Sequence, residues 1–288
     1  MFWQQLVNGI VDGGIYVLIG IGLMLVFGTV RIPNFAHGEL YMVGAFISYF
    51  LITLFHFPIF IAFLVSALGV SLIGIFKEKL VFRPLRNAPE LSLLISSIAV
   101  IYISESVASL LWGEQSRSIP VSFSGKLEIG SVTITYIKIF IIVITLVTIF
   151  LLHLFINKTT TGRSMRALAQ NKNAAALMGI DIDKITSITF GIGSALAAMS
   201  GTLVALLFPI DVFMGSMASL KAFTVIILAG LGNIPGTIGA GLLLGISENL
   251  GAAYIDSAYK NTFAFILLII ILIIRPGGLF GKRGVLRD

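Results

Sequence analysis

The chain has 288 residues and a mean hydropathy of +1.05, with 57% hydrophobic and only 11% charged side chains. A soluble domain carries about 25% charged residues, so this sequence cannot cover a water-facing surface, and much of its solvent must be lipid. The net charge of +6 sits in short segments between apolar runs, a marker of topology rather than a footprint for nucleic acid, and the lack of cysteine excludes disulfides and thiolate metal sites.

A helix needs about 20 apolar residues to cross roughly 30 Å of hydrocarbon. The sequence predicts such spans over 6–30, 38–56, 57–76, 91–112, 137–156 and 185–208, then a long apolar stretch at 219–252 and a last span at 260–275. Phe57 to Phe76 and Ile185 to Ile210 contain no charge at all. The start, MFWQQLVNGIVDGG, has no Lys or Arg before its apolar run and does not read as a cleaved signal peptide. None of the runs alternates as barrel strands do. The expected fold class is an all-α polytopic membrane bundle of about 8 transmembrane helices.

The basic residues orient the bundle. With the N-terminus outside, the cytoplasmic side receives Arg31, then Lys77, Lys79, Arg83 and Arg86. It also receives Lys158, Arg163, Arg166, Lys172 and Lys184 of the loop 157–184, and Arg275, Lys282, Arg283 and Arg287 at the tail 276–288. That is 14 of the 19 basic residues; Arg117, Lys126, Lys138, Lys221 and Lys260 fall on or near the other side.

Between the first two spans lies RIPNFAHGELYMVGAF, residues 31–46. Pro33 stops the first helix. Asn34 is placed to cap the next, and Glu39 lies near that helix's positive end. His37 and Glu39 point about 200° apart on a helix, too far to grip one metal. The stretch reads as a capped inner turn or as part of an inner gate lined by Asn34 and His37. The extracytoplasmic loop 113–136 has strand-like residues at Val121–Phe123 and Val132–Thr135 around a Ser-Gly turn, a small hairpin. In the cytoplasmic loop, Thr161 can cap a helix over 163–170, and Asn171 or Asn173 a second one ending at Gly179. Two such helices make either a docking surface for a soluble partner or a solvated connector.

The stretch 219–252 cannot be one span, because the tail would then lie outside, against its charge. It carries Gly230, Gly232, Gly236, Gly239, Gly241 and Gly245, with Gly251 beyond and Pro235 near the middle. Broken backbone at membrane depth needs protein or water to satisfy it, so two helices are expected to meet at Asn233–Gly236, as a re-entrant hairpin or two tight spans. Asp12, Glu105 and Glu248 are carboxylates inside spans, either partners for a substrate ammonium or groups that snorkel or cap helices. His56 and His153 read as interfacial, and GIGSALAAMSG (Gly191 to Gly201) as a close-packing surface. No cluster of nucleophile, base or metal ligands occurs, which argues against a membrane enzyme.

The run Asn173-Ala174-Ala175-x-x-x-Gly179 resembles the Glu-Ala-Ala-x-x-x-Gly loop of ATP-binding-cassette importer permeases, with Asn173 in place of the acidic residue. Together with NFAHGELYMVGA, GRSMRALAQNKNAAALMGI, ITFGIGSALAAMSGTL and KAFTVIILAGLGNIPGTIGAGLLLGISENL, the chain resembles the branched-chain amino acid permease family from about residue 6 to 275. The resemblance implies a single transmembrane permease domain, 1–288, in a bacterial or archaeal cytoplasmic membrane. It implies a second related permease subunit, two ABC ATPase subunits and an extracellular substrate-binding protein as partners. No phosphate-binding loop occurs in this chain, so ATP and Mg belong to the ATPase subunits and no cofactor is expected here. Gly162, Arg163, Arg166, Asn173, Ala174, Ala175, Gly179 and Asp181 would form the ATPase-coupling loop. Asn34, His37, Glu39, Glu105, Gly230, Gly232, Asn233, Pro235 and Glu248 are candidates for the translocation path or its gate. Related permeases carry urea, amides or other amino acids. A proton-coupled secondary carrier, using Glu105 or the His37–Glu39 pair, is the alternative of a different class.

Overall fold

Each apolar run becomes a helix. The structure, a computed structural model, describes residues 1–30, 32–120, 125–130, 132–275 and 277–280. In chain order the helices are α1 (Phe2–Val30), α2 (His37–Thr53), α3 (Ile59–Lys77), α4 (Glu90–Trp112), α5 (Tyr136–Lys158), α6 (Thr160–Gln170), α7 (Lys172–Leu177), α8 (Ile182–Ala205), α9 (Met214–Ala229), α10 (Ile234–Tyr254) and α11 (Lys260–Ile274). A π-helical turn, Glu78–Phe82, extends α3, and a 3-10 turn, Ser257–Tyr259, leads into α11. Among the described residues six helical segments are long and apolar enough to cross a membrane: α1, α3 with its extension, α4, α5, α8, and Ser257–Ile274. At 17 and 16 residues, α2 and α9 are shorter.

Burial separates a centre from a rim. Of the most apolar stretch of each helix, 83% is buried in α1 and 72% in α8, against 17% in α4 and 6% in the last segment. The rim presents side chains such as Leu68, Leu72, Leu110 and Ile273 outward, as expected where the solvent is lipid. Hydrocarbon supplies no hydrophobic force between helices, so close approach depends on small residues. The motif Gly9-x-x-x-Gly13 on α1 faces Gly241-x-x-x-Gly245 on antiparallel α10: a Cβ on Gly9 would stand 2.6 Å from the Ile246 Cα, and one on Gly13 2.9 Å from the Leu242 Cα. On the other side of α1, Gly22 and Gly193 of α8 meet so closely that a Cβ on either would lie 2.7 Å from the other's carbonyl oxygen. Gly44 packs on Ala198, Gly74 on Ser194, and Gly201 on the Tyr41 carbonyl. The glycine-rich face of α8 is thus a packing surface, as its sequence suggested.

The apolar stretch 219–252 does break, but over Gly230–Asn233, ahead of the expected Asn233–Gly236. Gly230 and Gly232 hold φ of 83° and 84°, which only glycine takes up without strain. The Asn233 side chain then caps α10 by accepting from the Gly236 N–H at 3.0 Å, with Pro235 in the first turn. In the connecting loop, β1 (Lys126–Ile129) pairs antiparallel with β2 (Val132–Thr135), Lys126 opposite Thr135. The second strand is the expected one. Its partner is 126–129, while Val121–Phe123 lie outside the described residues, as do Arg31 and, in the tail 276–288, Lys282, Arg283 and Arg287. The Gln4 amide clamps the hairpin, donating to the Thr133 carbonyl at 3.0 Å and accepting from its N–H at 2.8 Å.

Candidate functional site

The turn after α1 is not a surface loop. Asn34, His37 and Glu39 are each at most 1% exposed. The His37 ring reaches Gly22, eight residues before the end of α1 at Val30 and so about 12 Å back along its axis. The segment before α2 therefore folds back into the bundle, and α2 starts at depth. His37 and Glu39 do point to different neighbours: a Cβ on Gly22 would sit 2.9 Å from His37 Nε2, and one on Gly215 of α9 2.6 Å from Glu39 Oε1.

That depth removes the cap expected of Asn34. The cap position is Ala36, without a side-chain cap, and both polar atoms of the Asn34 amide lack a hydrogen-bond partner among the described residues. The start of α2 is satisfied from other helices instead. Ser219 Oγ on α9 accepts from the Gly38 N–H at 2.7 Å and donates to the Phe35 carbonyl at 2.6 Å. Lys77 Nζ donates to the Ala36 carbonyl at 2.7 Å. A buried helix start must satisfy its N–H groups somewhere; here α9 takes the Gly38 N–H, while α9 and α3 together supply donors to the Phe35 and Ala36 carbonyls. Among the described residues, both carboxylate oxygens of Glu39 are buried without a hydrogen-bond partner, and the His37 ring nitrogens make no hydrogen bond of ordinary geometry. Glu105 accepts from Ser216 Oγ at 2.6 Å, next to the Gly215 that Glu39 faces.

Asp12 and Glu248 are each held in an ion pair rather than free. Glu248, 0% exposed, accepts on Oε2 from Lys221 Nζ at 3.0 Å and from the Tyr16 hydroxyl at 2.7 Å. Lys221 also donates to that hydroxyl at 2.7 Å. Asp12 Oδ2 accepts from Lys260 Nζ and Asn249 Nδ2, both at 2.8 Å. The other three of the five basic residues expected on the far side from the loop 157–184 are engaged as well: Lys126 with Glu128 at 2.7 Å, Lys138 with the Asn8 amide oxygen at 2.7 Å, and Arg117 with the Trp112 carbonyl and the Tyr49 and Phe50 rings. Tyr16 was not singled out in the sequence, and Lys221 was named only for the side of the membrane it marks. The available signal was a lysine inside an apolar run, which in a membrane needs a buried partner.

The loop 157–184 forms two short helices, as expected. Thr159, not Thr161, caps the first, because α6 begins at Thr160; its Oγ1 accepts from the Gly162 N–H at 3.0 Å. Asn171 caps α7 through the Ala174 N–H at 3.0 Å, and Asp181 caps α8 through that of Lys184 at 3.0 Å. Gly179, φ 78°, turns the chain between them. Gly162 and Ala175 are buried and hold the pair against the bundle, while Arg163, Arg166, Asn173, Ala174, Gly179 and Asp181 are surface residues. Leu177 and Met178 beside them are 89% and 82% exposed. Among the described residues no three His, Asp or Glu side chains stand close enough to hold a metal ion.

A family described as "Branched-chain amino acid transport system / permease component" matches residues 5–272. The high-affinity branched-chain amino acid transport system permease protein LivH of Escherichia coli K12 is 37% identical, over 99% of this chain and 97% of its own. BraD of Pseudomonas aeruginosa, named as a permease protein of the same kind of system, is 38% identical over the same shares. A probable LivH of Methanocaldococcus jannaschii is 28% identical over 95% and 91%. Among solved structures, PsaBC from Streptococcus pneumoniae in complex with Fab shares the fold, with a TM-score of 0.52 at 12% identity over 96% of this chain and 92% of that one. End to end, then, this polytopic helical chain belongs to the family of branched-chain amino acid transport system permease components.

Proposed function

We propose that the chain is the membrane-spanning permease subunit of an ATP-binding-cassette importer, translocating branched-chain amino acids delivered by an extracellular binding protein. Its full-length likeness to permeases named for that transport supports the substrate class. A second related permease and two ATPase subunits, which hold ATP and Mg, complete the assembly in a bacterial or archaeal cytoplasmic membrane. The observation that carries the ATP-driven reading is the pair α6–α7. Large apolar side chains 89% and 82% exposed at Leu177 and Met178, on a short capped helix outside the bundle, fit a groove on a soluble partner.

The registers support a topology. Gly9 lies against Ile246, and Gly28 near Gly232, so the break at Gly230–Asn233 sits at the C-terminal end of α1 rather than at mid-depth. Asn233 Nδ2 donates to the Phe280 carbonyl at 2.8 Å, and the Leu279 N–H to that of Leu228 at 2.7 Å. Helices of 16 and 21 residues reach about 24 and 32 Å. These dimensions favour two crossings over a shallow re-entrant hairpin, with the break, the segment after α11 and α6–α7 on the cytoplasmic side and the N-terminus outside. The path would run past Asn34, His37, Glu39 and Glu105, with Gly230, Gly232, Asn233 and Pro235 at its inner end.

Gly179→Arg tests the docking assignment. A side chain at φ 78° is strained and costs about 1 kcal/mol locally, too little to remove the protein from the membrane. The expected result is normal insertion with ATP hydrolysis uncoupled from uptake in proteoliposomes; a normal transport rate would sink it. In the same vesicles the chain without ATPase subunits should show no uptake driven by a pH gradient, and uptake there would favour the proton-coupled carrier. His37→Ala is expected to lower uptake about tenfold with the complex intact, the size of a typical coupling loss. Unchanged uptake would make the buried turn purely structural.

A further inference from the structure

We propose that Arg86, with Arg83, Glu78 and Asp183, is a transmission clasp that makes α3 follow the cytoplasmic helix pair, so that Arg86 is a positioning residue for coupling. The proposal rests on the reading of α6–α7 as the ATPase-docking surface.

The clasp joins segments far apart in the chain. Arg86 donates through one guanidinium nitrogen to Glu78 Oε1 at 3.1 Å and through the other to Asp183. Arg83 pairs with the other oxygen of Asp183 at 2.5 Å. Glu78 also accepts from Ser187 Oγ at 2.6 Å, one helical turn beyond Asp183. The ion pairs thus run as a chain, Arg83–Asp183–Arg86–Glu78, which the Ser187 bond closes into a ring through the first turns of α8. Exposure falls through the ring, from 51% at the Asp183 side chain and 37% at Arg83 to 13% at Arg86 and 0% at Glu78. An isolated surface pair contributes little. A guanidinium fork spanning a buried and an exposed carboxylate fixes direction as well as distance.

Its place in the chain suggests what the ring is for. Asp183 is the second residue of α8, just after the Asp181 cap and the Gly179 turn that ends the docking segment. A displacement of α7 therefore reaches Asp183 through a short, capped connection. On the other side, Glu78 opens the π-helical turn, whose Glu78 carbonyl accepts from the Arg83 N–H at 2.7 Å. Single π turns are rare and gather at functional sites. This one carries Phe82, fully buried against Phe190 of α8 with ring centroids 5.4 Å apart, in a small apolar cluster with Val26, Ile32 and Leu93. Motion handed to Glu78 thus reaches the end of α1, the start of α4 and the lysine that holds the start of α2, Lys77, next in sequence to Glu78.

The test uses the complete importer in proteoliposomes, with ATP hydrolysis and amino-acid uptake measured together to give ATP consumed per substrate imported. Arg86→Gln is expected to co-purify with the ATPases and hydrolyse ATP within about twofold of wild type, while ATP per substrate rises about tenfold, within the range of allosteric couplings. Arg86→Lys keeps the charge but not the fork and is expected to recover only part of the coupling. If Arg86→Gln fails to fold, Asp183→Asn at the exposed rim of the ring keeps the test open, with a rise of about fivefold expected, the low end of typical couplings. An unchanged ratio in the variants that fold, including a parallel loss of uptake and hydrolysis, overturns the clasp. Wild-type chain that imports nothing with its ATPases present overturns the functional reading beneath it, and the clasp with it.

Discussion

Gly9→Leu is expected to break the core of the bundle. The atoms a side chain at position 9 would meet belong to the α10 backbone, with the Ile246 Cα at 2.6 Å from a bare Cβ, so no rotamer of a neighbour relieves the overlap. The two helices must separate, and with them the contacts of Gly13 with Leu242 and of Gly241 with Val17. Overpacking of this kind costs about 3 kcal/mol, and lipid offers no hydrophobic force to press the helices back together. For a chain of this size, thermal unfolding in detergent should fall by roughly 5–10 °C, with loss of monodisperse protein. Gly69→Ala is the control: its Cβ would find only Ile47 Cδ1, at 3.9 Å, and alanine gains about 1 kcal/mol of helix propensity, so its melting temperature should hold or rise. Equal melting temperatures for Gly9→Leu and wild type would show that α1 and α10 are not locked at this seam.

Lys221→Met removes the cation from a carboxylate that is 0% exposed. Coulomb attraction and hydrogen bonds hold Lys221, Tyr16 and Glu248 within 2.7–3.0 Å of one another. Breaking a buried pair by deleting one partner costs about 3–5 kcal/mol, because the remaining charge loses its compensation. The double variant Lys221→Met with Glu248→Gln should recover most of that loss, and Tyr16→Phe should cost only about 1–2 kcal/mol. A double-mutant cycle on unfolding in detergent is the measurement. If the two single losses simply add, the pair is not coupled, and Glu248 returns as a free carboxylate on the path. While Lys221 holds it, Glu248 is no ready partner for a substrate ammonium.

What was legible in the sequence follows from local physics. The runs that became α3, α4, α5 and α11 need lipid on one side, and composition alone places them. Asn171, one of the two caps expected for the second loop helix, does cap it, because a cap reaches only the next turn. That 219–252 breaks was legible from its glycines and Pro235, but the break falls at Gly230–Asn233, where left-handed backbone requires glycine, ahead of the expected Asn233–Gly236. The error of two residues at the α6 cap, Thr159 for Thr161, has the same locality: adjacent threonines offer equivalent oxygens, and the packing of Gly162 on the Ile156 and Phe155 carbonyls sets the start.

Among the candidate site residues, the exposed helix pair of 157–184 was readable as structure, and the buried surroundings of Asn34, His37 and Glu39 were not. Asn34, His37 and Glu39 form an apparently local pattern, yet a serine on α9 and a lysine on α3 satisfy the helix start they belong to. Lys221 and Glu248 lie 27 residues apart, Lys260 and Asp12 248 apart, and nothing in either segment names its counterpart. Composition and motif order by themselves determined that this is a helical membrane chain of a transporter family with a pair of short helices in the loop 157–184. Only the tertiary structure decided which glycines touch, how deep α2 begins and which intramembrane charges cancel. Those choices depend on helix pairs brought together in three dimensions, where close backbone approach and low dielectric make a partner's identity matter more than a residue's neighbours in sequence.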